Sequence, residues 1–120
     1  MEKGSIPILR SGDCLIASPQ NALHDKLAVQ FKGELLQKIV TTKAKGLVLD
    51  LSAIDIVDSF LVRQIGEIAT SAKIMGAKVA LVGLRPTVAM TLVEMGISLT
   101  GMQVARDLEK GLALINRAEH

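Results

Sequence analysis

One stretch of this chain decides how it folds: VLDLSAIDIVDSF, residues 48–60. It starts within a short apolar segment, 46–51, which predicts a strand buried on both faces because apolar and polar residues barely alternate there. The chain then passes through a short acidic loop and enters a helix near Asp58 and Ser59. Sites in α/β sheets cluster at the carboxyl ends of strands. This strand, loop and helix start are therefore the candidate functional segment.

Upstream of this segment, the sequence predicts a β-hairpin and a long helix. Two short apolar segments, 6–9 and 14–17, flank Ser11-Gly12-Asp13, a composition typical of a tight turn. The helix is predicted from about Asn21 to Thr41. Its inward stripe recurs every four residues, which is close to the helical period: Leu27, Phe31, Leu35 and Ile39.

Downstream, the helix that begins at Asp58-Ser59 is predicted to end near Gly76. The elements predicted after it are a strand at 78–82, a helix opened by Pro86 and closed by Gly96, a weak edge strand within 97–105 and a helix capped by Asp107. Strands that alternate with helices pair in parallel through crossovers. The sequence thus predicts one α/β domain over residues 1–120: a small mixed sheet with an initial β-hairpin, parallel crossovers and about four helices.

The composition excludes several classes of protein. Fourteen basic and 12 acidic residues give a net charge of +2, and the only aromatic residues are two phenylalanines, so a nucleic-acid surface is not expected. A hydrophobic content of 49% argues against disorder and predicts self-association. No apolar run approaches the ~20 residues that cross a bilayer, so we expect a cytoplasmic protein without membrane contact.

Motifs for catalysis, metal binding or cofactor binding are absent from the sequence. The single cysteine, Cys14, and the distant histidines, His24 and His120, give no metal-ligand spacing. No glycine-rich phosphate loop and no nucleophile elbow occurs. We therefore expect no metal, no cofactor and no enzymatic activity.

The residues alone leave two interpretations of Asp58-Ser59. Both are favoured helix starters, whose side-chain oxygens accept from backbone N–H groups, so they could serve as a plain cap. Alternatively, a phosphate on Ser59 could be partly accommodated by the amides of Phe60 and Leu61, at the positive end of the helix. A more distant alternative is an aspartyl-phosphate receiver at Asp50.

The segment Asp50-Leu51-Ser52, followed by Asp55 and Asp58-Ser59-Phe60, resembles the signature of the STAS domain, which is found in anti-sigma-factor antagonists and sulphate transporter tails. The resemblance extends over nearly the whole chain, including Gly76-Ala77-Lys78-Val79 and Leu84-Arg85-Pro86-Thr87. It implies that Ser59 is the phosphorylated serine. Asp55, Asp58, Phe60 and Arg63 would then form the partner-binding or switch surface, although Arg63 reads equally well as a solvated helix residue.

Within that family, the length and the segments 75–79 and 88–92 resemble the minimal STAS proteins of the stressosome, a large signalling scaffold. This implies a non-catalytic scaffold that captures an RsbT-type switch kinase, assembles with RsbR-type sensor paralogues, and is reset by a phosphatase. Phosphorylation of Ser59 would release the kinase. A simple anti-anti-sigma factor, which binds one anti-sigma kinase without a large scaffold, uses the same serine and remains the alternative.

Overall fold

Five strands form one mixed sheet in a computed structural model that describes residues 6–20, 25–55, 58–98 and 101–117. The first two strands, β1 (Ile8–Ser11) and β2 (Cys14–Ala17), pair antiparallel, with Ser11 opposite Cys14. The other strands, β3 (Gly46–Asp50), β4 (Lys78–Val82) and β5 (Gln103–Ala105), follow β2 in spatial order, and each pairs in parallel with its neighbour. The predicted mixed sheet with an initial hairpin is confirmed.

In the described part of the chain, four helices cover the two faces of this sheet. Helices α1 (Asp25–Thr42), α2 (Ser59–Ile74) and α3 (Pro86–Glu94) pack on one face, and α4 (Leu108–Arg117) packs on the other. Alternate residues of the central strands point to opposite faces, so Leu47 and Leu49 join the larger core and Val48 joins the smaller one beneath α4. Both faces of β3 are buried, as its continuous apolar run predicts.

Several predicted boundaries shift by a few residues. Pairing in β1 begins at Ile8 rather than Ile6, since Pro7 has no N–H to donate. The predicted start of the first helix at Asn21 lies outside the described residues, and the described helix begins at Asp25. The weak edge strand contracts to three residues within 97–105.

The predicted cap of the last helix is confirmed, because Asp107 Oδ1 accepts from the Lys110 amide at 2.9 Å.

Candidate functional site

The first part of the loop after β3 is held by hydrogen bonds and by two core side chains. Asp50 Oδ1 accepts from the amide of Ser52 at 3.0 Å and from its hydroxyl at 2.7 Å, a local turn of the kind that aspartate favours. Leu51 and Ile54 are fully buried in the larger core, and the Ile54 amide donates to the Leu51 carbonyl at 3.0 Å. The exposed Asp55 is therefore carried on a loop whose backbone is pinned by two core side chains.

Asp58, and not Ser59, caps α2. Its Oδ1 accepts from the Phe60 amide at 2.9 Å and from the Leu61 amide at 3.3 Å, and its backbone is extended, as expected of a residue that precedes a helix. Ser59 is the first helical residue. The interpretation in which the two residues share a capping role thus holds for Asp58 alone.

This cap also adds a competitor for the expected phosphate on Ser59. The Phe60 and Leu61 amides that were expected to receive it already donate to the Asp58 carboxylate. A phosphate on Ser59 would compete with that carboxylate for the same two donors. In the unmodified protein, the positive end of α2 is thus partly neutralised by Asp58.

Ser59 and Arg63 are exposed, whereas Phe60 is only partly so. The Ser59 hydroxyl forms no hydrogen bond within the described residues, which leaves it open to a partner. Arg63 lies one helical turn further on, and four-residue spacing places both side chains on the same face of α2. Phe60 is half-buried and packs against the larger core, so its ring contributes an edge, not a full face, to any partner surface.

A neighbouring turn supports this loop, and the sequence did not reveal it. The Arg85 Nη2 atom donates to the Ser52 carbonyl at 3.2 Å. Gly83, which has a φ of +66°, approaches Ser52 so closely that an added Cβ would stand 2.8 Å from the Ser52 Cβ. The only sequence signals for these contacts are an arginine and a glycine just after β4, and neither specifies its partner.

The geometry counts against an aspartyl-phosphate receiver, which needs further acidic metal ligands close to its phosphorylated aspartate. Asp13 cannot serve as such a ligand to Asp50, because it lies in the β1–β2 turn. There its carbonyl accepts from the amides of Lys45 and Gly46 at the amino end of β3. Asp50 lies at the opposite, carboxyl end of that strand. Among residues 6–20, 25–55, 58–98 and 101–117, no group of three metal-ligating side chains comes together.

These observations define a small α/β domain whose exposed polar side chains stand on a pinned loop and a capped helix. A family model described as the STAS domain matches residues 5–110, and the chain belongs to that family. Within the part of the chain that the structure describes, no helix has the length and apolar character needed to cross a membrane.

Two solved structures are similar to this chain over nearly its whole length. One is a serine-to-glutamate variant of RsbS from Moorella thermoacetica: 40% of residues are identical, the TM-score is 0.86, and 95% of this chain and 97% of that chain are covered. The other comes from the molecular architecture of the stressosome, a signal integration and transduction hub. It is 42% identical with a TM-score of 0.85, and 95% of this chain and 99% of that chain are covered.

Two curated relatives from Bacillus subtilis (strain 168) are longer proteins. RsbT co-antagonist protein RsbRD is 32% identical over 79 residues, and RsbT co-antagonist protein RsbRA is 30% identical over 78 residues. These matches cover 66% and 65% of this chain, respectively, but only 28% of either relative. The similarity to these co-antagonists is thus confined to about a quarter of their length.

Proposed function

We propose that this chain is a phosphorylation-controlled scaffold subunit of a stressosome, which holds an RsbT-type switch kinase and releases it when Ser59 is phosphorylated. The observation that carries the proposal is the exposed Ser59 hydroxyl, which stands unbonded among the described residues at the first position of α2. The scaffold itself is cytoplasmic and performs no chemistry.

The relatives support both halves of the proposal. The similarity to RsbS and to a stressosome structure favours assembly, and the similarity to two RsbT co-antagonists favours an RsbT-type kinase and RsbR-type paralogues as partners. The Moorella protein carries glutamate in place of a serine. Such a replacement adds part of the negative charge that phosphorylation would bring, which fits a serine-based switch.

Charge supplies the mechanism of release. Phosphorylation adds roughly −1.5 to −2 charges and three strong acceptor oxygens at neutral pH. On Ser59 this charge adjoins the Asp58 carboxylate, and the two groups compete for the Phe60 and Leu61 amides. Arg63, on the same face of α2, is the cation nearest in sequence for the new phosphate. The surface that the kinase recognises thereby changes in charge without any change of fold.

A release assay tests the switch. Wild type, Ser59→Ala and Thr87→Ala are each loaded with the cognate kinase, ATP is added, and both phosphate position and retained complex are measured. Thr87 is the matched control, since it is an exposed hydroxyl residue in the first turn of α3. Wild type and Thr87→Ala should release the kinase, whereas Ser59→Ala should retain it. Equal release from all three proteins, or phosphate found only elsewhere, would rule out Ser59 as the switch.

A mass measurement tests the scaffold. Native mass is recorded for the chain alone and with a full-length STAS sensor paralogue from the same organism. The proposal predicts an assembly of many subunits in the mixture. A discrete complex with the kinase and no large assembly would instead identify a simple anti-anti-sigma factor.

A further inference from the structure

The outward face of α1 carries an apolar stripe that the described part of the chain leaves largely uncovered. Val29 is 48% exposed, Val40 is 59% exposed, and Leu36 between them is half-buried. Together with Gly33, these residues stand at positions i, i+4, i+7 and i+11, so they share one side of the helix. We call these four residues the α1 stripe. Contiguous exposed apolar surface of this kind marks contact sites for other molecules.

Gly33 lies near the middle of the stripe and packs against no other element that the structure describes. Glycine is among the least favourable residues in a helix interior. Packing requires Gly66 of α2, because an added Cβ there would stand 2.2 Å from the Ile97 Cδ1. At Gly33, an added Cβ would meet no described atom within 4 Å outside the helix's own backbone. A helix position without a side chain lets a second backbone approach closely, and no described residue outside α1 occupies the space beside Gly33.

We propose that the α1 stripe is the contact between two copies of this chain, whose α1 helices run antiparallel about a two-fold axis beside Gly33. Two-fold dimers are the commonest closed assemblies, and the same patch serves both partners. Because the axis passes beside Gly33, a residue of one copy lies level with a residue of the other copy when their two numbers add up to about 66. Lys26 then lies opposite Val40 of the second copy, so that its aliphatic stem covers the valine.

The charges at the ends of α1 fit this arrangement. Asp25 begins the helix, Lys43 directly follows it, and both are exposed. They are 18 positions apart, which is five complete turns, so they lie on the same side of the helix axis. The two-fold places Asp25 of each copy within about 3 Å, along the axis, of Lys43 of the other. A parallel arrangement would instead set like charges side by side at each end.

The size of the surface predicts a modest affinity. Helix α1 has 18 residues, so it is about 27 Å long and, with its side chains, about 10–12 Å across. Its outward face is therefore smaller than the ~800 Å² per partner of a standard interface. A dimer that dissociates on dilution to micromolar concentration is therefore expected. Ser59 is not part of this surface, so the inference goes beyond the proposed function and stands or falls separately from kinase release.

Sedimentation velocity of the chain alone tests the contact. Wild type should change from monomer to dimer with rising concentration, whereas Gly33→Arg should remain monomeric throughout. Thr41→Arg is the control, because Thr41 is exposed on α1 about 110° away from the stripe. The Thr41→Arg protein should therefore dimerise like wild type. At a dilution that dissociates wild type, Gly33→Arg should unfold at the same temperature or higher, since arginine is the better helix former. A monomeric wild type, or equal dimerisation by Gly33→Arg, would overturn the proposal.

Disulfide trapping tests the two-fold axis itself. In a Cys14→Ala background, Gly33→Cys should form a covalent dimer under mild oxidation with glutathione disulfide, because only residues on the axis meet their own copies. Val40→Cys lies on the same stripe but about 20 Å from its counterpart, so it should not cross-link. Efficient trapping of a dimer through Val40→Cys would refute the antiparallel self-contact. So would a Gly33→Cys protein that cross-links only to a sensor paralogue and not to a second copy of itself.

Discussion

Arg85 holds the carbonyl of Ser52 at 3.2 Å and so joins the turn after β4 to the loop that leads towards Ser59. The two residues are 33 positions apart. Arg85 is also the residue that precedes α3, although its side chain does not cap that helix. One hydrogen bond thus links the loop before α2 to the start of α3.

Arg85→Ala is expected to loosen the loop without unfolding the domain. The bond is exposed, so its loss should lower the free energy of unfolding by about 1 kcal/mol or less. Amide hydrogen exchange of Ser52 and Ile54 should accelerate in the variant, and exchange in β2 should stay unchanged. Uniform acceleration across the sheet would contradict a local role for this bond.

Asp58→Ala should destabilise the protein more than Ser59→Ala does. Asp58 Oδ1 satisfies two amides at the start of α2, and the loss of such a cap typically costs about 0.5–2 kcal/mol. Ser59→Ala removes no hydrogen bond of the described structure and should stay within about 0.5 kcal/mol of wild type. Urea denaturation gives both values, with Asp58→Asn as the variant that keeps an acceptor. A larger loss for Ser59→Ala would assign the cap to the serine.

Gly66→Ala should destabilise the protein, although alanine favours a helix by about 1 kcal/mol. The added Cβ would stand 2.2 Å from the Ile97 Cδ1, and overpacking of this kind costs roughly 1–3 kcal/mol. Ile97→Ala makes room, so the double variant should recover part of the loss, and a double-mutant cycle measures the coupling. Additive losses would show that Ile97 is not the obstacle.

Ile54→Ala should be the most damaging of these substitutions. Its side chain is fully buried in the larger core and anchors the loop before Asp58, and truncation of such a residue costs about 2–5 kcal/mol. The neighbouring Ala53 is exposed, so Ala53→Ser should stay within about 0.5 kcal/mol of wild type. Thermal or urea unfolding distinguishes the two. Equal stabilities would mean that Ile54 does not anchor the loop.

The sequence predicted the elements well where composition and pattern agree. The strand at 78–82 lies where it was expected, because a short, mainly apolar run between two helical patterns is typical of a buried strand. The inward stripe of α1 was partly wrong at its start. A repeat of four drifts about 40° per step against a helix of 3.6 residues per turn, so Ala28 is buried there and Leu27 only half-buried.

The sequence predicted where α2 begins but not which residue caps it. Asp58 and Ser59 are both good helix starters, and only the backbone geometry shows that the aspartate is the cap. Likewise, no local pattern pairs Arg85 with Ser52, because the contact exists only once β3 and β4 lie side by side. Local propensity therefore locates the loop, whereas the three-dimensional structure decides which of its polar atoms form hydrogen bonds.

Helix α4 seals the smaller core, and this gives the protein a built-in reporter. Cys14 Sγ and Ile115 Cγ2 both stand over Gly46, each 2.7 Å from where a Cβ would be, so the single cysteine lies beneath the helix. Cys14 is 4% exposed, so we expect a thiol reagent to reach it when α4 lifts from the sheet. The rate of labelling at Cys14 thus measures how often the last helix opens, a local motion that global unfolding curves do not resolve.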